Sequence, residues 1–177
     1  RRCIGAASSN TSLLHHRQVK ILDIYWSRIL LEQGAVTTSF VVLGLVLWAT
    51  GWLDPPEDSL EVLAGWLLLA WFGTGLSLVL AGLSEKSDII EKLWQPLSLI
   101  LFFLSGAAFI ADALPPGARE IALYLPMLHG VEILREGYFG SQIVAHYDVS
   151  YLVLWNLGLT VAGLSIVRLI GVDRGEE

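Results

Sequence analysis

Long stretches without a single ionisable side chain constrain this chain more than any other feature. Residues 62–83 (VLAGWLLLAWFGTGLSLVLAGL) are uncharged and stop at Ser84-Glu85-Lys86. Residues 34–53 are likewise uncharged and stop at the breaker run Asp54-Pro55-Pro56-Glu57-Asp58. A third stretch, 97–111, is short and crosses a bilayer only if extended to 93–114, and a fourth, 151–167, runs on to about 170 through Arg168. A helix rises about 1.5 Å per residue, so roughly 20 apolar residues cross the hydrocarbon core. The pattern predicts an all-α, polytopic membrane protein with four transmembrane helices at 34–53, 62–83, 93–114 and 151–170. A soluble all-α bundle is the alternative, but its helices need a charged face, and these have none. Composition agrees: 54% of residues are hydrophobic and 16% charged, too few charges for a water-facing surface.

The basic residues set an orientation. Nine of the eleven Lys and Arg fall on one side of the four spans: Arg1, Arg2, Arg17, Lys20, Arg28, Lys86, Lys92, Arg168 and Arg174. Arg119 and Arg135 fall on the other. The positive-inside rule places the first group in the cytoplasm, so both ends of the sequence are expected there, with 54–58 and 115–150 outside. Trp52, Trp94, Tyr151 and Trp155 lie near span ends, where amphipathic rings favour the interface. The net charge of -6 argues against nucleic acid as a partner. The single cysteine, Cys3, excludes an internal disulfide framework. The sequence opens on Arg1, and 1–10 has no apolar core of signal-peptide length; a missing N-terminal piece is expected. Small residues recur four apart, Gly73, Ser77 and Ala81 in one span and Gly158 and Ala162 in another; they let helices approach closely, within one subunit or between subunits.

Two segments are neither spans nor ordinary loops. In 10–33, Leu22, Trp26 and Ile29 share one helical face and Lys20, Asp23 and Ser27 another. This fits a helix at the membrane surface, serving as an anchor before the span or as a docking element for a cytoplasmic partner. Residues 115–150 are too apolar for a water-exposed link. Pro115-Pro116 and Pro126 divide them into two short helices, 118–125 and 127–136, expected to fold back as a re-entrant pair shielded by protein. Within the second, His129, Glu132 and Arg135 recur at i, i+3 and are followed by Glu136. A metal needs three or four ligands, and His129, Glu132 and the distant His146 fall short; an ion-pair network fixing the helix pair accounts for the pattern better. No nucleophile elbow, phosphate-cradling loop or HExxH is present, so no catalytic residue is assigned. The span centres lack the Asp, Glu, His or Arg that ion-coupled pumps use as relays, which points to an energy source outside the membrane part.

Three blocks resemble a known family. Ser98, Leu101, Leu104-Ser105, Ala107 and Leu114-Pro115, followed by Pro126-Met127-Leu128-His129 and Arg135, resemble type-2 ABC exporter permeases. The run from Pro126 to Gly140, read as Pro-x-x-His-x-x-Glu-x-x-Arg-x-Gly-Tyr-Phe-Gly, resembles the capsular polysaccharide exporters of Gram-negative bacteria. Leu13-Leu14-His15-His16-Arg17-x-Val19-x-x-x-Asp23, then Arg28-x-Leu30-Leu31-Glu32, resembles that family's cytoplasmic approach to its third span. The resemblance implies a partial transmembrane domain over 1–177, its spans being the third to sixth of six.

The same resemblance implies site residues and partners. Leu13, Leu14, His15, His16, Arg17, Val19 and Asp23 would couple to a cytoplasmic ATP-binding subunit, and Pro126, His129, Glu132, Arg135, Glu136, Tyr138 and Phe139 would belong to periplasmic gate helices. A second copy of the permease would complete a channel for lipid-linked polysaccharide, working with periplasmic and outer-membrane export proteins. No cofactor is expected on this chain, because ATP and Mg would be bound by the ATPase partner. Aromatic faces and hydroxyls suit a hydrated sugar chain, so Thr37, Thr38, Trp48, Trp66, Trp71 and Thr74 are candidate channel-lining residues; packing within the subunit or against lipid is the alternative for each. Competing functions are a drug or lipid exporter of the same superfamily and a non-transporting membrane scaffold.

Overall fold

The computed structural model describes residues 21–173, and among them every regular element is helical. Helix α1 is Ile21–Ala49, α2 Ser59–Lys86, α3 Asp88–Leu104, α4 Pro116–Ala122, α5 Pro126–Phe139 and α6 Val149–Asp173. Three of them, α1, α2 and α6, are long and apolar enough to cross a membrane.

The expected surface helix does not end where the first span begins. Residues 21–33 and 34–49 form one helix of 29 residues, because nothing between Gln33 and Gly34 breaks it: no proline, no capping side chain, and open space around Gly34. At about 1.5 Å per residue it is about 44 Å long, more than a hydrocarbon core of about 30 Å.

The expected third span, 93–114, is also redrawn. Helix α3 has 17 residues, includes Pro96 and stops at Leu104. Ser105 ends it by donating its hydroxyl to the Phe102 carbonyl at 2.7 Å and accepting from Ala107 N at 3.3 Å. Gly106 then turns the chain with φ of 85°, a left-handed conformation that favours glycine. Residues Ala111–Ala113 form a single 3₁₀ turn rather than the end of a span. The two short helices appear near the expected places, at Pro116–Ala122 and Pro126–Phe139, each with a proline in its first turn where the missing N–H costs nothing.

The chain divides into two compact units. The first comprises 21–43, 73–95 and 157–173 of the described residues. Its core is Ile21, Ile24, Tyr25 and Ile29 from α1, Leu78 and Ala81 from α2, and Val167 and Ile170 from α6. The close approach of α2 to α6 uses Gly75 and Gly163. A Cβ on Gly75 would lie 2.9 Å from Leu159 Cβ, and one on Gly163 would lie 3.0 Å from Val79 N. Of the small residues expected at this contact Ala81 is buried, but Gly158 faces open space.

The second unit comprises 44–72 and 96–156. Here α5 runs antiparallel along the first half of α2. Val62 meets Gly137, Gly65 meets Leu134, and Leu69 meets Gly130, so the numbering rises on one helix as it falls on the other. A Cβ on Gly65 would sit 2.7 Å from Leu134 N, and one on Gly137 2.6 Å from Val62 N, so the two backbones nearly touch. Helix α5 therefore lies alongside the beginning of an apolar span rather than out in water. Asn156 of α6, fully buried, donates to the Leu68 carbonyl at 3.0 Å in the same unit.

Candidate functional site

The Pro126–Gly140 run folds as a single helix up to Phe139, and its polar residues point to different partners. Glu132 is 0% exposed, which for a carboxylate demands compensation. Arg135, one turn later, supplies it: Nη1 donates to Glu132 Oε1, and the Arg135 side chain is itself only 14% exposed. Arg135 Nη2 donates to the Gly106 carbonyl at 2.7 Å. Glu132 also accepts from two backbone amides, Ala111 N on Oε1 at 3.5 Å and His146 N on Oε2 at 3.3 Å. One ion pair thus ties together the turn after α3, the 3₁₀ turn at 111–113 and the link leading to α6.

His129 makes a second tie. Its Nδ1 lies 2.8 Å from Asp148 N, and its Nε2 lies 2.8 Å from the Leu123 carbonyl. A backbone amide can only donate, so Nδ1 accepts and the proton sits on Nε2, from which it is donated to Leu123. The ring is neutral, and both its nitrogens are engaged by backbone. Its face meets Tyr151 with centroids 5.1 Å apart. The predicted grouping of His129 with Glu132 and Arg135 therefore separates into two ties on one helix, each reaching the link before α6.

A third set of contacts holds the end of α5. Asp58 N donates to the Gly137 carbonyl at 2.8 Å, Glu57 N to the Tyr138 carbonyl at 3.3 Å, and Tyr138 OH to the Asp54 carbonyl at 2.7 Å. Asp58 also caps α2 by accepting from Leu60 N and Glu61 N at 2.8 and 3.1 Å. Phe139 stacks at a tilt on Tyr138, 5.1 Å between centroids. Gly140 turns the chain with φ of 54°, and a side chain there would run into the Glu57 carboxylate.

Several partners in this region carried no sequence signal. Tyr147 OH donates to Glu61 Oε1 at 3.1 Å and also lies within hydrogen-bonding reach of Glu136. The Glu136 hydrogen bond, then burial, then Glu61 push the Tyr147 phenol well above its ordinary pKa. Glu136 is thereby Tyr147's partner, whereas Arg135 is bonded to Glu132 and Gly106. Asp112 accepts from His146 Nε2 at 3.0 Å and pairs with Arg119 Nη2 at 3.1 Å. The His146 hydrogen bond first, opposed by burial and reinforced by Arg119, holds the Asp112 carboxyl below its ordinary range. Arg119 additionally donates to the Ala111 and Asp112 carbonyls at 3.1 and 2.7 Å.

The other expected sites are less assembled. Leu13, Leu14, His15, His16, Arg17 and Val19 lie outside the described residues, and Asp23 is exposed on α1. Of the candidate channel residues, Thr38 and Trp48 are exposed, whereas Thr37, Trp66, Trp71 and Thr74 are half-buried.

Comparison with known proteins places these elements in context. The family model described as ABC-2 type transporter matches residues 11–139. The chain is 41% identical over 167 residues to the capsule polysaccharide export inner-membrane protein CtrC of Neisseria meningitidis serogroup B, covering 94% of this chain and 63% of that protein. It is 40% identical to the capsule polysaccharide export inner-membrane protein BexB of Haemophilus influenzae, again over 94% of this chain and 63% of the relative. It is 27% identical to the polysialic acid transport protein KpsM of Escherichia coli, over 95% of this chain and 65% of the relative. The chain therefore spans about 63% of the length of the first two of these relatives.

Proposed function

The chain belongs to the ABC-2 type transporter family, and from that premise we propose that it is the membrane permease part of an exporter that carries capsular polysaccharide across the inner membrane. The observation that carries this reading is the 41% identity, over nearly the whole chain, to a capsule polysaccharide export inner-membrane protein. The substrate is a polysaccharide on a lipid anchor, moved through a channel completed by a second copy. A separate cytoplasmic ATP-binding subunit holds ATP and Mg and drives the cycle, and periplasmic and outer-membrane export proteins receive the product. Both ends of the sequence face the cytoplasm, as the distribution of nine basic residues against two suggests. In this arrangement α4 and α5 form the outer gate, and the Glu132–Arg135 and His129 ties hold it against the turn after α3 and the link leading to α6.

The test is capsule display. A bacterium lacking its own capsule permease is supplied with the full-length gene that contains this sequence, together with its cognate ATPase gene, and surface capsule is stained. Restored staining that disappears when the ATPase carries an inactivated nucleotide site supports the reading. Polysaccharide that stays inside cells containing abundant permease and ATPase overturns it.

A further inference from the structure

Beside the gate lies a cavity of about 360 Å³ lined by Glu120, Leu123, Tyr124, His129, Asp148 and Tyr151. Its hydrogen-bonding groups are sorted in an unusual way. The donors on His129 and Tyr151 are already spent, and the Tyr124 hydroxyl at the exposed mouth is the side-chain donor left over among the lining residues. His129 Nε2 donates to the Leu123 carbonyl at 2.8 Å, and Tyr151 OH donates to the Tyr124 carbonyl at 2.8 Å. His129 Nδ1 is occupied by Asp148 N. Besides that hydroxyl, what remains is acceptor capacity with negative charge. The Glu120 carboxylate has no hydrogen-bond partner among the described residues. Asp148 uses Oδ1 to accept from Tyr151 N at 3.1 Å, capping α6, and its Oδ2 stays available. No Lys or Arg lines the cavity.

The walls between the two carboxylates are aromatic. The Tyr124 ring is 75% exposed at the mouth, and the Tyr151 ring stacks on His129. Two carboxylates combined with π-faces, and with no Lys or Arg beside them, select a cation that brings its own N–H groups. A phosphate, or a sugar acid, would meet repulsion from both carboxylates and find no cationic donor. The amino end of α6 is the one opposing field, and the Asp148 cap offsets it.

The surroundings favour a lipid as the source of that cation. Tyr151 begins a membrane-crossing helix, and its ring contacts Trp155 one turn further into the span, with centroids 6.3 Å apart. Trp155 and its neighbour Leu154 are exposed, so an apolar track leads from the cavity along the span. Ile121, beside the mouth, is also exposed. A molecule with an ammonium head and hydrocarbon tails matches both parts. We propose that this cavity is a binding site for the primary ammonium of a zwitterionic phospholipid headgroup of the ethanolamine type, seated between Glu120 and Asp148 against Tyr124 and Tyr151.

The test uses the full-length permease, delipidated in detergent and titrated with single lipids, with bound lipid counted by native mass spectrometry. Phosphatidylethanolamine should bind about tenfold or more tightly than phosphatidylglycerol, the span expected of charge-assisted hydrogen bonds. Phosphatidylcholine, which has no N–H to donate, should be weaker than phosphatidylethanolamine. The double variant Glu120→Gln with Asp148→Asn keeps the helix cap, because the Asn oxygen still accepts from Tyr151 N. It should lower phosphatidylethanolamine affinity about tenfold and leave phosphatidylglycerol binding no weaker than before. Should that variant not purify as a folded protein, Tyr124→Leu, at an exposed position, should give a smaller loss of the same selectivity. Equal binding of the two lipids, or unaltered selectivity in a folded variant, overturns the proposal. So does full competition by free ethanolamine at the concentration where the lipid binds, which would make the ligand a soluble amine, or binding of a Lys-rich peptide in preference to lipid. No export assay enters the readout, so the result is independent of the transport reading.

Discussion

Arg135 donates with one nitrogen to Glu132, a turn earlier in its own helix, and with another to the Gly106 carbonyl, 29 residues earlier in the chain. The first contact is local and the second is long-range, so removing the guanidinium does more than cancel a helical pair. It leaves a fully buried carboxylate and a buried carbonyl without their strongest partner. Breaking a buried ion pair from one side costs on the order of 3–5 kcal/mol. Arg135→Ala in the full-length permease should lower the unfolding midpoint in detergent accordingly and reduce membrane abundance. Glu132→Ala with Arg135→Ala should be milder than the sum of the single changes, because neither charge is stranded. Strict additivity, measured by the double-mutant cycle, would show the pair to be solvated.

His129 should be nearly as sensitive for a different reason. His129→Phe keeps the ring and its contact with Tyr151 but strands Asp148 N and the Leu123 carbonyl. A buried group left unpaired costs about 1–3 kcal/mol. Besides the loss of stability, hydrogen exchange at the Asp148 amide should accelerate. An unchanged exchange rate at that amide would mean the Nδ1 contact contributes nothing.

The glycines separate into contact positions and open ones. Gly137→Ala and Gly65→Ala place a Cβ against backbone of the facing helix, which cannot move aside as a side-chain tip can. Overpacking of this kind costs about 1–3 kcal/mol. Gly34→Ala and Gly158→Ala meet nothing within 4 Å and should leave the stability of the solubilised subunit unchanged or slightly raised. Thermal unfolding of the four variants side by side checks the assignment.

Two ionisable groups give the region a defined pH response. The Asp112 carboxyl is held below its ordinary range, so its contribution is present above about pH 3.9 and is lost as pH falls through its lowered value. The Tyr147 phenol is held above its ordinary range, so its contribution is present below about pH 10 and is lost as pH rises through its raised value. Asp112→Asn should flatten the acid limb of a stability–pH profile and Tyr147→Phe the alkaline limb. A Tyr147→Phe profile with an unchanged alkaline limb would sever the link to Glu136 and Glu61.

Orientation is open to a direct measurement. In a Cys3-free background of the full-length protein, single cysteines at Glu57 and Ser141 should react with an impermeant thiol reagent added to cells with a permeabilised outer membrane. One at Ser87 should react only after the inner membrane is opened. Labelling at Ser87 in the intact state would reverse the assignment.

The sequence made the spans readable because hydrocarbon leaves a chain little choice: the uncharged stretches 62–83 and 151–167 lie within α2 and α6, and 34–53 lies in α1 up to Ala49. The Glu132–Arg135 pair was readable because both residues sit on one helix at i, i+3. Their other partners were not, since Gly106, Ala111 and His146 are brought in by turns that leave no periodic trace. The end of the third stretch was not readable for a related reason. Apolarity says where a helix is permitted, while its end depends on the Ser105 hydroxyl and the Gly106 turn. The small-residue contacts were displaced by one or two positions, from Gly73 and Ala162 to Gly75 and Gly163, because each residue step rotates about 100° around a helix and one step moves a side chain off the contact face. The 33–34 boundary was drawn where polarity changes, and polarity change alone does not stop a helix.

That missing boundary has a mechanical side. A break at Gln33–Gly34 would have made a hinge, and a hinge absorbs displacement. The 29 residues from Ile21 to Ala49 instead share one hydrogen-bonded axis, so a tilt or twist applied at the Ile21 end passes Gln33 and Gly34 without being absorbed there, and the Tyr25 core that the same helix carries must move with it.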